Sequence, residues 1–286
     1  MPIARSLPRS FLYVPATQPG LFGKASSGGS DAVVLDLEDA VPLARKSQAR
    51  AHVGDWLDAP DESATAEQWV RLNAESVAED LAAVVHPNLR GLFVAKCSVP
   101  TLEEVSGELR TLERRRGLAE GSVGLIGLVE SAEALLSLQA MASSPRLCTF
   151  GLGEVDLLAD LRMSRQVSDA ALDTLRTQVV LHCASAQLRP PVAPTSVAFR
   201  ELDQFRASTR HLFELGFRSR TAIHPNQVSV IHEVLTPDDD TVWAAHDVVE
   251  RYTSAGGGVT TDADGRLIDA AVVREAQEIL CRRGLA

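Results

Sequence analysis

The chain has 286 residues, a net charge of -10, 23% charged residues and 45% hydrophobic residues spread along its length. That apolar content supports one large core and argues against disorder. The acidic balance provides no basic face for nucleic-acid phosphates, so no nucleic-acid partner is expected. A few arginines and a metal ion can still create a local positive well for an anionic substrate. Cys97, Cys148, Cys183 and Cys281 lie far apart and form no CxxC pair, which predicts reduced thiols. The opening MPIARSLPRSFLYVP has only a five-residue apolar run. A signal peptide needs a longer one, and a membrane span needs about 20 residues. The expectation is a cytoplasmic protein with no membrane segment.

Short β-branched runs alternate with longer helical patterns. The sequence predicts strands over 11–15, 32–36, 68–72, 91–96, 124–129, 146–150, 191–194 and 219–223. Helical periodicity covers 43–57, 101–116, 132–142, 168–187, 201–215 and 228–235. Thr101, followed by Glu103 and Glu104, is placed as the capping hydroxyl of the second helix. Near-continuous apolar strands imply burial on both faces, as in a parallel sheet covered by helices. Eight such units predict an α/β fold, a (β/α)₈ TIM barrel, which typically takes about 250 residues. An open doubly wound sheet is the competitor, because periodicity does not reveal closure, but no GxGxxG follows the first strand.

The tail differs in kind. Helical pattern over 238–253 is broken by Gly256-Gly257-Gly258, two short strands flank the turn 262–265, and a helix covers 270–283. The division expected is a catalytic barrel over 1–236 and an appendage over 237–286. The appendage is too small to build much core alone. It is expected to pack over a barrel mouth, its own or a neighbour's.

Polar residues follow the predicted strands: Asp36, Glu38 and Asp39, then Arg71 and Asn73, Lys96, Glu130, Glu154 and Asp156, and His224. In a barrel these carboxyl ends share one rim, where chemistry is found. Glu130 and Asp156 form a candidate ligand pair for Mg²⁺, a hard cation that takes carboxylate oxygens and keeps several waters. The competing reading has Glu130 capping a helix that starts near Ser131 and Asp156 bonding within its own loop. The acidic cluster would hold metal, order its waters, or simply face solvent. Arg71 would grip a substrate carboxylate bidentately, or pair with that cluster. His224, before Pro225-Asn226-Gln227, suits a structural turn or a catalytic base. Arg114-Arg115-Arg116 suits a solvent-facing helix end.

The stretches RSFLYVPATQPGLFGKA, GGSDAVVLDLEDAVPLARKSQAR, VRLN, VAKCSVP, IGLVESAEAL, FGLGEVDLLADL, AIHPNQ and GRLIDAAVVREAQEIL run in order from Arg9 to Leu280. Through them the chain resembles the citrate lyase β-subunit-like group of the HpcH/HpaI aldolase and malyl-type thioester lyase superfamily. The resemblance implies Mg²⁺ on Glu130 and Asp156, with Glu38 and Asp39 ordering its waters. It implies substrate binding by Arg71, with Glu130 beside it and Arg9 and Lys96 contributing charge. It also implies that Asp269 handles the acyl enolate from a neighbouring subunit, in a homotrimer or homohexamer. The implied reaction is retro-Claisen or retro-aldol cleavage of a malyl-, citramalyl- or citryl-type thioester, giving a 2-oxo acid and an acetyl-type coenzyme A thioester.

Four departures leave the acyl group open. Thr195 stands where the family often has aspartate, Cys97 follows Lys96 in place of proline, Ala270-Ala271 lacks a proline, and Arg220 replaces lysine or a small residue. Two other readings stay open at this point. One is an aldolase for free 2-oxo or hydroxy acids, and the other is an inactive 2-oxo-acid-binding homologue.

Overall fold

The computed structural model describes residues 7–164 and 166–285. The β-branched and aromatic runs form eight parallel strands: β1 Ser10–Pro15, β2 Ala32–Asp36, β3 Glu67–Leu72, β4 Leu89–Val94, β5 Gly124–Val129, β6 Leu147–Leu152, β7 Val192–Ala193 and β8 Ser219–Ala222. Each strand pairs with the next, and β8 pairs with β1, so the sheet closes into a barrel and leaves no edge. The open-sheet alternative is thereby excluded.

The strands carry two buried faces. Outward, Val33, Leu35, Val70, Leu72, Leu92 and Val94 meet apolar helix residues such as Val53, Leu57, Leu81 and Leu102. Inward, Phe11, Val34, Trp69, Phe93, Ile126, Leu128 and Val192 fill the barrel. Phe11 is the hub of this interior, edge-on to Trp69 at 5.4 Å and to Phe93 at 5.2 Å. Such aromatic pairs stabilise by about 0.5–1.5 kcal/mol beyond their area. Gly91 makes room for Trp69, because a Cβ there would lie 2.3 Å from the indole.

Around the sheet lie α1 Phe22–Ser26, α2 Lys46–Asp58, α3 Val77–Val84, α4 Val99–Arg115, α5 Ala132–Leu136, α6 Leu138–Met141, α7 Glu154–Asp160, α8 Asp169–Ser185, α9 Leu202–Leu215 and α10 Pro225–Leu235. Three details differ from the sequence expectation. β4 ends two residues early, since Lys96 adopts a left-handed backbone (φ 47°) that ends the strand. α4 begins at Val99, with Ser98 rather than Thr101 as its cap: the Ser98 hydroxyl accepts from Thr101 N–H at 3.3 Å. The segment 132–142 is two short helices broken at Ser137. α1, α3 and α7 were not anticipated.

The chain forms two compact units, one from Leu7 to His232 and one from Glu233 onward. In the second, α11 Asp239–Ser254 and α12 Ala270–Arg282 flank the antiparallel pair β9 Thr260–Thr261 and β10 Leu267–Ile268. Ala245, Ala276 and Leu280 pack together there with Val242, Val249 and Ile279 around them. Among the described residues, no helix is long and apolar enough to cross a membrane.

Gly91→Ala tests the interior packing. The methyl group has no space beside Trp69, and overpacking of this kind costs about 1–3 kcal/mol. A lowered urea midpoint with an unchanged slope is expected, and a wild-type midpoint would refute the described packing.

Candidate active site

Period-two alternation places the functional side chains. Two residues above the interior Phe11, Val34, Trp69 and Leu128 come Tyr13, Asp36, Arg71 and Glu130. These four line a cavity of about 520 Å³ at the carboxyl ends of the strands. They form a polar layer above the aromatic one, and the cavity's floor is apolar.

Asp36 and Arg71 are register partners across β2 and β3. Arg71 donates from Nε to Asp36 Oδ1 at 2.8 Å and from Nη2 to Asp36 Oδ2 at 2.7 Å. Its Nη1 lies 2.8 Å from Glu38 Oε2 and 3.5 Å from Asp39 Oδ2. The Glu38 contact lacks hydrogen-bond alignment, leaving that buried oxygen without a hydrogen bond. Arg71 therefore pairs with the acidic cluster while still lining the cavity. Asp36 also shapes the loop after β2 by accepting from the N–H of Glu38 and Ala40. Lys46 holds the loop from below, donating to the carbonyls of Leu37 and Glu38. Burial acts against charge on Arg71, yet its bonds to Asp36 and the nearby carboxylates raise its pKa overall. Burial, reinforced by Glu130, Asp39 and Asp36 and opposed by Arg71, pushes the Glu38 carboxyl up to about 8.

Glu130 is 7% exposed and lies just past β5. It does not cap the next helix, because Ser131 does so through Ala134 N–H. Its Oε2 instead accepts from Lys96 N–H at 2.8 Å. Gly153 lies against its other side, where a Cβ would sit 2.7 Å from Oε1. Asp156 projects from the first turn of α7 and lines the same cavity. Burial, with Asp156 and Asp39 adding to it against Lys96 N–H and Arg71, pushes Glu130 up to about 7. Among the described residues, no three His, Cys, Asp or Glu side chains are arranged to enclose an ion. The donor set fits Mg²⁺ nonetheless, since this ion binds through one or two carboxylates and retains water. A buried carboxylate whose negative charge lacks compensation is a place where a divalent cation is favoured.

The β7–β8 side contributes Val192, Ala193, Pro194, Thr195, Thr221 and Ile223, none of them charged. His224 ends this side as a turn residue: its Nδ1 accepts from Asn226 N–H at 3.1 Å, and its ring stacks on Phe199. The structural role proposed for it from sequence is the one its contacts describe.

Two sequence expectations need correction. Arg9 lies before β1, at the opposite end of the barrel from the cavity, with its guanidinium bonded to both oxygens of Asp31 at 2.8 Å. Sequence order placed it near a motif but could not show at which end. Lys96 touches Glu130 through its backbone N–H, while its side chain is exposed and does not line the cavity. In the tail unit, Asp269 accepts from Ala271 and Val272 N–H through Oδ1 and caps α12. Those bonds, Val272's first, hold its carboxyl below the usual range.

Tyr13 was missed. Its ring lies 5.1 Å from the Arg71 guanidinium carbon, and burial with the nearby carboxylates raises its pKa despite Arg71, so it stays a phenol. Alternation from Phe11 contained the signal. Gly153 was also missed, and nothing in the sequence marks a close approach to Glu130.

The sequence profile of the HpcH/HpaI aldolase/citrate lyase family matches residues 9–225. The citrate lyase subunit beta of Escherichia coli K12 is 29% identical over 97% of this chain and 94% of its own length. The L-malyl-CoA/beta-methylmalyl-CoA lyase of Cereibacter sphaeroides ATCC 17029 is 26% identical over 95% of this chain and 93% of its own. The fold is shared with CitE of Mycobacterium tuberculosis, solved with magnesium, acetoacetate and coenzyme A. The TM-score is 0.77 at 24% identity, covering 98% of this chain and 99% of that one. A citrate lyase of Burkholderia xenovorans LB400 superposes with TM-score 0.81 at 20% identity, covering 99% and 93%. With a closed parallel barrel, a carboxylate-lined cavity at its carboxyl rim and this match across the barrel, the chain belongs to the HpcH/HpaI aldolase/citrate lyase family.

Proposed function

We propose that this protein is a Mg²⁺-dependent carbon–carbon lyase. It cleaves a short malyl-, citramalyl- or citryl-type thioester into a 2-oxo acid and an acetyl-type thioester, or runs the reverse condensation. The observation that carries this reading is the convergence of Glu130 and Asp156 on one cavity with Arg71. The relatives' names give the reaction class and the thioester, since they include citrate lyase and malyl-CoA lyase.

Glu130 and Asp156 are the residues that would hold Mg²⁺, which supplies Lewis-acid polarisation of the carbonyl oxygen and an anchor for the adjacent carboxylate. Glu38 and Asp39 stand behind them as acceptors for ordered water. Arg71 orients the substrate from a fixed position. Asp36 commits two of its nitrogens, and Nη1, 2.8 Å from Glu38 Oε2 and 3.5 Å from the exposed Asp39 carboxylate, is the nitrogen left to meet a substrate carboxylate. Tyr13, protonated beside Arg71, donates from its phenol to a substrate oxygen. The apolar floor keeps water from the cleaved bond.

In condensation, a base must take a proton from the acyl carbon of the thioester, within about 3 Å or through one water. Asp269 is assigned that role. The capping bonds run to Oδ1, so Oδ2 is the basic oxygen. We further propose that the tail unit covers the barrel mouth of a neighbouring subunit in a homotrimer or homohexamer. Coexpressed Glu130→Ala and Asp269→Ala chains then recover activity that neither has alone. No recovery in mixed oligomers would refute the shared site.

Acetyl-coenzyme A with glyoxylate, pyruvate or oxaloacetate, and cleavage of the corresponding thioesters, are the assays of choice. Glu130→Gln is expected to reduce turnover at least ~100-fold, the scale of losing a transition-state charge contact. Full Mg²⁺-dependent turnover in that variant would sink the mechanism. Equal cleavage of free acids would instead identify an aldolase that does not need the thioester.

The raised carboxyl groups set a pH dependence. Glu130 must lose its proton to bind a cation, so Mg²⁺ affinity falls as pH drops below about 7. One proton per ion gives up to ~10-fold per pH unit. Calorimetric Mg²⁺ titrations between pH 5.5 and 8 read this slope, and a flat profile would contradict the assignment. Stability of the metal-free protein has its own sign. The folded state binds these protons more tightly than the unfolded chain, so stability declines as pH rises from the ordinary carboxylate range to about 8. Glu38→Gln should flatten that decline in thermal melts, and an unchanged profile would remove Glu38 as its source.

A further inference from the structure

The two carboxylates assigned to Mg²⁺ are carried by different elements. Glu130 lies between β5 and α5, and Asp156 lies in the first turn of α7. α7 has only seven residues and no side-chain cap at its start. Leu157 and Leu158 bury one face of it, but apolar burial is non-directional and does not fix how the helix is turned. Directional bonds at its two ends do.

At the near end, Gly153 N–H donates to Val129 O at 3.0 Å, one residue before Glu130. At the far end, Asp160 Oδ2 accepts from Ala132 N–H at 2.7 Å, two residues after Glu130. Asp156 and Asp160 stand four residues apart on one helix face, a rise of about 6 Å. α7 closes directly beyond, where Arg162 takes a left-handed backbone (φ 55°) and Met163 N–H donates to Leu158 O at 2.9 Å. The loop from Val129 to Ala132 and the helix from Gly153 to Asp160 are thus tied together at both ends. Each carries one carboxylate of the pair between the ties.

A third tie comes from α8. Arg176, 6% exposed, donates from Nε to Glu154 Oε2 at 3.0 Å and from Nη2 to Glu154 Oε1 at 2.9 Å. Its Nη1 is held by Asp169 at 3.2 Å and Asp173 at 2.9 Å, so the guanidinium reaches the first residue of α7 from a fixed position. Neither Asp160 nor Arg176 is among the residues lining the cavity.

The spacing of two carboxylates decides which cation suits them. Mg²⁺ demands near-ideal octahedral geometry with bonds of about 2.0–2.1 Å, whereas Ca²⁺ accepts about 2.3–2.6 Å in a flexible arrangement. A frame that holds the pair still matters for the first ion and much less for the second.

We infer that Asp160 is a positioning residue. Its bond to Ala132 N–H holds Asp156 in place relative to Glu130, with Arg176 steadying the same helix through Glu154, and this selects Mg²⁺ over larger divalent cations. The inference rests on the Mg²⁺ site of the lyase reading and extends it to residues outside the cavity.

Calorimetric titration of the full chain with Mg²⁺ and with Ca²⁺ is the test. Asp160→Ala removes the acceptor and is expected to weaken Mg²⁺ binding by ~10- to 100-fold, the usual effect of losing a group that orients a metal ligand. Ca²⁺ binding should fall less, so the Mg²⁺-to-Ca²⁺ affinity ratio drops. Asp160→Asn removes the same charge but keeps an oxygen for Ala132 N–H, and it should retain most of the wild-type ratio. Arg176→Lys keeps the charge and gives up the paired bond. It should lower the ratio as well, and it stands in should Asp160→Ala not fold. A wild-type ratio in Asp160→Ala, or in Arg176→Lys where that variant stands in, overturns the inference and leaves the lyase reading standing. So does an Asp160→Asn loss equal to that of Asp160→Ala. Absence of Mg²⁺ binding by the wild type, or binding that survives Glu130→Ala undiminished, overturns both.

Discussion

The ion pair between Asp36 and Arg71 is the constraint on which the cavity depends. β2 and β3 place the two residues side by side in register, and the inward parity of both strands points them into the barrel. Two parallel bonds of 2.7 and 2.8 Å then fix the guanidinium plane. The same carboxylate turns the chain after β2 by accepting from Glu38 and Ala40 N–H, so one side chain sets both the arginine and the acidic loop. Burying such a pair is not a cheap route to stability, because desolvation of both ions offsets much of their attraction. What the pair contributes is position: Tyr13, Glu38 and Asp39 all take their places relative to Arg71.

The charges around that pair do not balance. Arg71 faces Asp36, Glu38 and Asp39, and Glu130 and Asp156 add two more carboxyl groups on the same cavity. The second arginine nearby, Arg176, is already taken by Glu154, Asp169 and Asp173. Burial and mutual repulsion answer the excess by raising Glu38 and Glu130, which keeps part of the negative charge neutralised by protons. A divalent cation would answer it more completely; Glu130 itself is held by Lys96 N–H at Oε2, with Gly153 close beside Oε1.

Much of this was legible in the sequence, for identifiable reasons. Strands buried on both faces give continuous apolar runs, so the predicted 32–36 and 124–129 match β2 and β5. The place of Glu130 and Asp156 at the carboxyl rim was legible because polar residues after such runs are unusual. Lys96 was misread because a left-handed residue ends β4 and uses its backbone for the contact, and neither φ nor a main-chain bond is written in side-chain identity. Ser98 was passed over as a cap because Pro100 in the first turn disguised the helix start. Tyr13 was hidden by its surroundings: inside FLYVP it reads as one more core aromatic, although its parity places it in the polar layer.

Arg9 shows what one sequence cannot distinguish and a barrel can. Arg9 with Asp31 and Arg71 with Asp36 are the same chemical pair, and both arginines donate through two nitrogens. At the amino end, Arg9 and Asp31 are joined by Ser10 and His232, with Ser10 Oγ accepting from Asp31 N–H and lying 2.8 Å from His232 Nε2. Arg220 N–H also donates to Arg9 O beside the β8–β1 pairing, so the cluster lies where the barrel closes. Charge there is matched between Arg9 and Asp31. At the carboxyl end the carboxylates outnumber the arginine they surround. The unbalanced charge lies at the carboxyl end, and the strand direction of a parallel barrel decides which end that is.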